Sequence, residues 1–302
     1  MREVTLIRTA AMPRETGQIT DIRQSPGFAK FMVTIGWEET KIGSLNVFSK
    51  KIPLFGYVIR IVRPNLPLPL EEIDRLAQQK KALLVKIEPN LLETNSSAPI
   101  LGSFVKDHQP ILPTKTIWID LSQSETKLWE NLDKDTRNLV RKSEKEGVQI
   151  SASTNLANFY DIWKNNAKKK GFFTPFDKEM TSLWNSFSEK HLLLATYNKQ
   201  TVAAVLLFGY KEALYYYFAA SNEAGRKVHA PTNLLWHSIK IGHSAGYLRL
   251  DLEGIRDTRV SRTKKWEGFS NFKRNFGGSE ISYTGSFSKY YSFLGLLIGR
   301  FL

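Results

Sequence analysis

The alternation of hydrophobic and polar residues is most informative between residues 214 and 255, where it predicts a β-α-β unit. Residues 214–218 are rich in aromatic side chains, which favour strands. Pro231 lies in the first turn of a helix, where a missing backbone donor costs no hydrogen bond, and Gly246 ends that helix. Leucine alternates with polar residues over 248–252, as in a second strand. A crossover of this length predicts two parallel neighbouring strands.

Elsewhere the pattern predicts a mixture of helices and strands. Helices are expected over residues 70–81, 134–145 and 156–170. Strands are expected over residues 82–87, 116–121, 192–197 and 202–210, the last two as a hairpin. Residues 90–113 are polar and contain three prolines, which indicates a loop at a domain junction. A chain of 302 residues is long enough for one large domain or two ordinary ones.

Composition narrows the classes of function. Lysine and arginine exceed aspartate and glutamate by 43 − 29 = 14, which favours a polyanionic partner, with simple solubility as the alternative. The absence of cysteine excludes disulfides, thiolate zinc sites and thiol nucleophiles. The five histidines show no metal-ligand spacing, and no Ser-His-Asp pattern is visible. We therefore predict no metal and no covalent intermediate.

The two ends of the chain bear on its location. Residues 1–21 lack the apolar core of a signal peptide, so we expect a cytoplasmic protein. Residues 290–302 are strongly apolar but too short to span a bilayer, which takes about 20 residues. This tail is expected either to pack on the N-terminal domain or to make a peripheral contact with the inner surface of the membrane.

Positive side chains cluster in three parts of the chain, one of which is residues 164–170. One row shares a helix face that is either solvated or binds phosphate; it consists of Lys134, Arg137, Arg141 and Lys145. The densest positive run lies between residues 256 and 274, with Trp266 and Phe269 interleaved. Cations of this kind can bind a nucleic-acid backbone, and an aromatic ring can stack on an unpaired base. The alternative is a basic surface loop whose aromatic residues face the core.

Three motifs occur together in order along the chain. They are residues 137–142 ahead of Glu146-Gly147-Val148, the segment Asp251-Leu252-Glu253-Gly254-Ile255, and residues 268–278 with Phe272-Lys273. Their order and spacing resemble the FemABX family of aminoacyltransferases, which builds peptidoglycan side branches. The family usually has glycine where Glu253 stands. The similarity covers most of residues 114–287 and, more weakly, the N-terminal part. No heptad run is visible, so the long helical hairpin of some members is not expected.

The resemblance implies an α/β (α+β) fold of two GNAT-like acyltransferase domains, each a mixed sheet flanked by helices. The N-terminal domain would comprise residues 1–113 plus 284–302, and the second domain residues 114–283. The implied reaction is attack of an amine of a peptidoglycan precursor on the ester carbonyl of an aminoacyl-tRNA, by a monomer and without a cofactor. The acceptor would be a UDP-MurNAc-peptide or a lipid-linked precursor.

The resemblance also assigns candidate site residues. Lys273, beside Phe272, would stabilise the developing negative charge, and Glu88 would contact the incoming amine. A structural or phosphate-only lysine and a merely paired carboxylate are the alternatives. The acceptor would contact Lys30, Tyr217, Phe218, Thr174 and Lys178. The tRNA would contact Arg256, Arg259, Arg262, Lys264, Lys265 and Arg274.

Two other functions remain open from the sequence. One is a GNAT-type N-acyltransferase that uses acyl-CoA in polysaccharide or lipid modification. Such enzymes cradle pyrophosphate on a glycine-rich turn, whereas the corresponding turn here has only Gly225, which argues against acyl-CoA. The other is a basic RNA- or membrane-binding protein without enzymatic activity.

Overall fold

The computed structural model describes residues 20–93, 101–170 and 177–299, and for 165–170, 177 and 298 it describes the backbone alone. Short 3-10 helices occur at Ile22–Gln24 and Ser261–Trp266. The α-helices are α1 (Pro26–Thr34), α2 (Leu70–Gln79), α3 (Glu125–Glu130), α4 (Lys134–Lys145), α5 (Leu156–Lys170), α6 (Asp177–Ser186), α7 (Glu223–Lys227), α8 (Ala230–Ser244), α9 (Glu267–Arg274) and α10 (Phe293–Ile298). The strands are β1 (Glu38–Ile42), β2 (Leu45–Ile52), β3 (Gly56–Val62), β4 (Ala82–Glu88), β5 (Val105–Asp107), β6 (Lys115–Asp120), β7 (Gln149–Ser153), β8 (Lys190–Tyr197), β9 (Gln200–Tyr210), β10 (Ala213–Ser221), β11 (Arg249–Asp251), β12 (Ser279–Ser282) and β13 (Ser286–Tyr290).

The first sheet has the strand order β1-β2-β3-β4-β13-β5. Strands β3 and β4 are parallel and are joined by helix α2, while the other neighbours are antiparallel. Strand β13 follows the predicted boundary at residue 283 and returns to this sheet, and α10 packs against β4. The loop predicted over residues 90–113 contains the short strand β5. The domain boundaries themselves stay a prediction.

The second sheet has the order β12-β6-β11-β10-β9-β8-β7. Strands β10 and β11 are parallel neighbours, with Leu214 opposite Leu250, and helix α8 connects them. The predicted β-α-β unit is therefore confirmed, although β11 is shorter than the alternating stretch 248–252. Residues 223–227 form a short helix rather than a simple turn, because the side chain of Asn222 accepts a hydrogen bond from Gly225 N at 2.8 Å.

The buried side chains form three clusters that hold both sheets. One lies between the second sheet and helices α4 and α8, and another lies between the first sheet and α2. The remaining cluster contains Phe28 of α1, Phe48 of β2 and Tyr215 of β10, so it joins the two sheets through one shared core. The prediction of an α/β fold with two mixed sheets flanked by helices is confirmed. Within residues 20–93, 101–170 and 177–299, no helix is long and apolar enough to cross a bilayer.

Candidate active site

The turn that follows β11 is held in an unusual conformation by a buried carboxylate. Asp251 accepts hydrogen bonds from Thr116 Oγ1, from Trp118 Nε1 at 2.9 Å and from the backbone N of Glu253 at 2.8 Å. Glu253 has a left-handed φ of 60°, which costs a residue with a Cβ about 1–2 kcal/mol. Because the surrounding contacts impose this strain, the turn is a candidate functional element.

Gly254 is the next residue of this turn, and the packing leaves no room for a side chain there. An added Cβ would lie 2.7 Å from Pro113 Cγ and 3.0 Å from a ring atom of Trp266. The close approach brings the backbone of the turn against the segment that leads into α9. The carbonyl groups of the turn can therefore contact side chains of α9.

Glu253 forms an ion pair with Arg23 of the first 3-10 helix. Arg23 Nη2 lies 2.7 Å from both carboxylate oxygens, and Nη1 lies 3.3 Å from Asp21 Oδ1. The guanidinium carbon also lies 5.8 Å and 5.7 Å from the ring centroids of Tyr215 and Tyr217. Burial raises the pKa of Glu253, and the charge of Arg23 opposes that rise. The pair thus ties the N-terminal segment to the strained turn after β11.

Lys273 of α9 contacts the backbone of the same turn. Its Nζ donates hydrogen bonds to the carbonyl oxygens of Gly254 at 2.8 Å and Glu253 at 3.4 Å, and it lies 5.2 Å from the ring centroid of Phe269. Burial lowers the pKa of Lys273 to about 8, and the negative charges of Glu253 and Asp251 limit the drop. At neutral pH the amine is therefore mainly an ammonium with a proton that it can release.

The turn also lines a small cavity of about 10 Å³, roughly the size that one water molecule requires. The cavity is lined by Arg23, Arg63, Leu112, Pro113, Thr116, Asp251, Glu253, Gly254 and Tyr283. The guanidinium of Arg63 lies 3.6 Å from the ring centroid of Tyr283. Within the described part of the chain, the buried Nε atoms of Arg23 and Arg63 have no hydrogen-bond partner. Each of these two arginines therefore keeps one buried donor without a partner among the described residues, beside the carboxylates of Asp251 and Glu253 that also line the cavity.

Glu88 lies at the end of β4, but it is buried and already satisfied. Its Oε1 accepts hydrogen bonds from the backbone N atoms of Ile111 at 2.8 Å and Leu112 at 3.0 Å. Burial raises the pKa of Glu88, and the nearby charge of Arg63 opposes the rise. In this conformation Glu88 anchors the loop that leads to β6, so contact with an incoming amine would require that loop to move.

The candidate acceptor residues occupy different surroundings. Tyr217 is the extra residue of a β-bulge in β10, and the bulge directs its ring towards Arg23. The ring of Phe218 packs against Trp163, with centroids 4.8 Å apart. Lys30 on α1 and Lys178 on α6 are exposed. The fifth candidate, Thr174, lies outside the described residues.

The six candidate tRNA contacts fall into two groups. Four arginines are engaged within the protein: Arg256 pairs with Glu267, Arg259 with Asp257 and Glu93, Arg274 with Glu280 and Glu267, and Arg262 donates to the carbonyls of Pro110 and Ile111. Lys264 and Lys265 are exposed on the 3-10 helix that leads into α9. Among the described residues neither of these lysines has a salt bridge. Two cations are thus available on the segment that leads into α9 without breaking a salt bridge within the described residues.

Phe272 contributes to packing, because its ring lies 5.3 Å from that of the buried Phe276 and contacts the core of the second sheet.

Sequence reasoning missed Arg23, Asp251 and the role of Glu253 as a partner. The only local indication was Glu253, which lies in a segment where the FemABX family usually has glycine. Within the described residues, no group of three or more histidine, aspartate or glutamate side chains is placed to hold a metal ion.

Comparison with known proteins extends these observations. Residues 167–295 match the model of the FemAB family. FemX has a similar structure, with a TM-score of 0.78 and 15% identity over 93% of this chain and 94% of that chain. The resemblance to the FemABX group is therefore confirmed. None of the curated protein sequences matches the chain.

Two further solved structures share the fold at lower similarity. One is the C-terminal domain of a putative lysylphosphatidylglycerol synthetase from Agrobacterium fabrum, with a TM-score of 0.61 and 8% identity over 93% of this chain and 92% of that chain. The other is L-PGS from Bacillus licheniformis, with a TM-score of 0.60 and 13% identity over 95% of this chain and 98% of that chain. At these identities the likeness shows the fold alone.

Proposed function

We propose that this chain, which matches the FemAB family over residues 167–295, moves an amino acid from an aminoacyl-tRNA to an amine of a peptidoglycan precursor. The observation that carries the proposal is the position of Lys273. Its ammonium is held on the carbonyl groups of Glu253 and Gly254, two residues of the turn that lines the cavity together with Arg23 and Arg63. A site of this kind stabilises negative charge that develops on oxygen.

The reaction forms one bond and breaks one. The amine nitrogen of the acceptor attacks the carbonyl carbon of the aminoacyl ester, and the bond from that carbon to the ribose oxygen of the tRNA then breaks. The amine loses one proton, and the leaving ribose oxygen gains one. Exchange of an ester for an amide is downhill, so orientation and charge stabilisation matter more than a strong base. Lys273 stabilises the negative oxygen, and with a pKa of about 8 it can also donate a proton to it.

The donor end of the tRNA would approach along the segment that leads into α9. The exposed Lys264 and Lys265 would contact its phosphates. Trp266 and Phe269 are partly exposed, with ring centroids 5.6 Å apart, and offer a surface for stacking an unpaired base. The paired arginines, by contrast, stabilise the position of α9. We expect the protein to act as a cytoplasmic monomer without a cofactor.

The acceptor side would be the face near Tyr217, with Lys30 and Lys178 further out on α1 and α6. The acceptor is a UDP-MurNAc-peptide or a lipid-linked precursor. The similar structure from Agrobacterium fabrum carries a name that refers to lysylphosphatidylglycerol, an aminoacylated lipid. Phosphatidylglycerol is therefore a necessary comparison in any acceptor test.

The test is a transfer assay with labelled aminoacyl-tRNA and each acceptor in turn. The proposal expects a labelled amide on the peptidoglycan precursor and no labelled ester on a glycerol hydroxyl of phosphatidylglycerol. A parallel reaction supplies acyl-CoA in place of tRNA. Product with acyl-CoA alone would instead support the GNAT-type acyltransferase, and tRNA binding without any product would support an RNA-binding protein.

A further inference from the structure

Two segments far apart in sequence expose large apolar side chains. The turn between β2 and β3 presents Leu54, which is 98% exposed, and Phe55, which is 56% exposed. Helix α10 presents Phe293, which is 75% exposed, together with the half-exposed Leu296 and Leu297. Large apolar side chains exposed together mark an interaction surface when they are contiguous.

The two segments leave the first sheet at the same end of its strands. Strand β4 lies between β3 and β13. Just after the β2–β3 turn, Tyr57 N donates to the carbonyl of Lys81, which immediately precedes β4. On the other side, Tyr291 N donates to Leu83 O at 2.9 Å, and a Cβ on Gly295 would meet that carbonyl. Two strand spacings separate the segments, or about 10 Å. We call the five exposed side chains of these two neighbouring segments the apolar edge; they are Leu54, Phe55, Phe293, Leu296 and Leu297.

The backbone conformation of Leu54 is a second indication that this surface makes a functional contact. Its φ of 68° is in the left-handed region, where glycine or asparagine is favoured, and the turn is closed by Phe55 N donating to Ile52 O at 3.1 Å. A leucine in this position is unfavourable both for the backbone and for the exposed side chain. Strained and exposed apolar residues of this kind indicate a functional contact.

The charges around the apolar edge determine which kind of partner can bind to it. Lys50, Lys51 and Lys81 are exposed, and none has a salt bridge within the part of the chain that the structure describes. The neighbouring carboxylates are already used, because Glu38 pairs with Lys80 at 2.6 Å and Asp74 with Lys289 at 2.6 Å. A second copy would bring like charges together across a two-fold interface. An anionic surface would pair with the lysines and accept the apolar side chains.

We propose that the apolar edge docks on a bilayer that contains anionic lipids. The apolar side chains enter the boundary between headgroups and acyl chains, and the three lysines contact lipid phosphates. Strand β4 runs from this edge to Glu88, about 20 Å away at 3.3 Å for each residue. Docking therefore leaves the candidate active site open to water and to RNA. The contact does not depend on the reaction, so its test is independent of aminoacyl transfer.

The test is co-sedimentation of the full chain with vesicles of phosphatidylglycerol and phosphatidylcholine in equal parts, or of phosphatidylcholine alone, at low and high salt. Leu54→Ser with Phe55→Ser removes one side of the edge, and Phe293→Ser with Leu297→Ser removes the other. Lys81→Gln removes one charge. The matched control replaces two apolar residues that are exposed elsewhere, Val33→Ser with Leu248→Ser. Circular dichroism verifies that each variant is folded.

We expect the wild type to bind the anionic vesicles and to be released by high salt. Each apolar double variant should lower the partition coefficient at least roughly tenfold relative to the wild type, and Lys81→Gln should lower it about fivefold. The control double variant should lower it less than about twofold. The proposal is overturned if the wild type fails to bind anionic vesicles, or if the apolar pairs bind as well as the control pair. It is also overturned if the wild type forms a dimer that the apolar pairs dissociate, since a second copy then covers the edge.

Discussion

Replacement of Arg23 by methionine tests the ion pair that holds the strained turn. The carboxylate of Glu253 is 15% exposed, and its two oxygens each lie 2.7 Å from Arg23 Nη2. Methionine keeps much of the apolar packing on Tyr215 and Tyr217 but removes the charge. The carboxylate then stays buried without its hydrogen-bonded cation, close to Asp21 and Asp251. Loss of one partner of a buried pair destabilises a protein by about 3–5 kcal/mol.

Replacement of the other partner of the pair, Glu253→Gly, is expected to lower the free energy of unfolding by a smaller amount. It also breaks the pair, but Arg23 keeps Asp21 as a partner at 3.3 Å. Glycine in addition removes the left-handed strain, which is worth roughly 1–2 kcal/mol. We therefore expect Glu253→Gly to destabilise the fold less than Arg23→Met. In the double variant neither partner of the pair is left behind, so its cost should fall below the sum of the single costs by about 0.5–3 kcal/mol.

Urea unfolding followed by tryptophan fluorescence gives the free energies of unfolding. A matched control is Lys41→Met, which breaks the pair of the exposed Lys41 with the partly buried Glu39 at 3.9 Å and should cost about 0–1 kcal/mol. If Arg23→Met costs no more than Lys41→Met, or if the double variant shows no coupling, the Arg23–Glu253 pair does not hold the turn and this reasoning is refuted.

Three further predictions concern the charges of the site. The ammonium form of Lys273 is lost as the pH rises through its pKa of about 8, so transfer should decline above that pH; Lys273→Arg keeps the charge, and its pH profile should lack this decline. Glu253→Gln removes a negative charge that raises the pKa of Lys273, so the decline should begin at a lower pH; an unchanged profile would contradict the electrostatic link. Lys264→Gln with Lys265→Gln should weaken tRNA binding and reduce the slope of log affinity against log salt by about 2, whereas Lys41→Gln should leave the slope unchanged.

Much of the fold was predictable because its signals are local. The leucine alternation after Gly246 and the proline at position 231 were enough to predict the parallel pair β10 and β11. The partner of Glu253 was not predictable, because Arg23 lies 230 positions away and no local pattern connects them. The bulge at Tyr217 likewise depends on its pairing with β9, since Tyr216 faces Leu207 and Phe218 faces Leu206.

The basic run after residue 256 shows why charge in a sequence overstates available charge. Six cations were expected to contact RNA, but the fold places Glu267 and Glu280 among them and brings in Glu93 from the other part of the chain. The acids within the run were a visible signal that some cations are paired. The hydrogen bonds that Glu88 accepts could not be predicted for a different reason. Strand alternation does not reveal that a later loop returns its backbone N–H groups to that carboxylate.

The most direct test of the account is single-turnover transfer by Lys273→Met, measured with tRNA binding on the same preparation. Loss of a group that stabilises the transition state should lower the transfer rate by about 10²–10³. Affinity for aminoacyl-tRNA should change only a few-fold, because Lys264 and Lys265 remain. Transfer at the wild-type rate by folded Lys273→Met protein would contradict the central claim that the Lys273 ammonium stabilises the reaction.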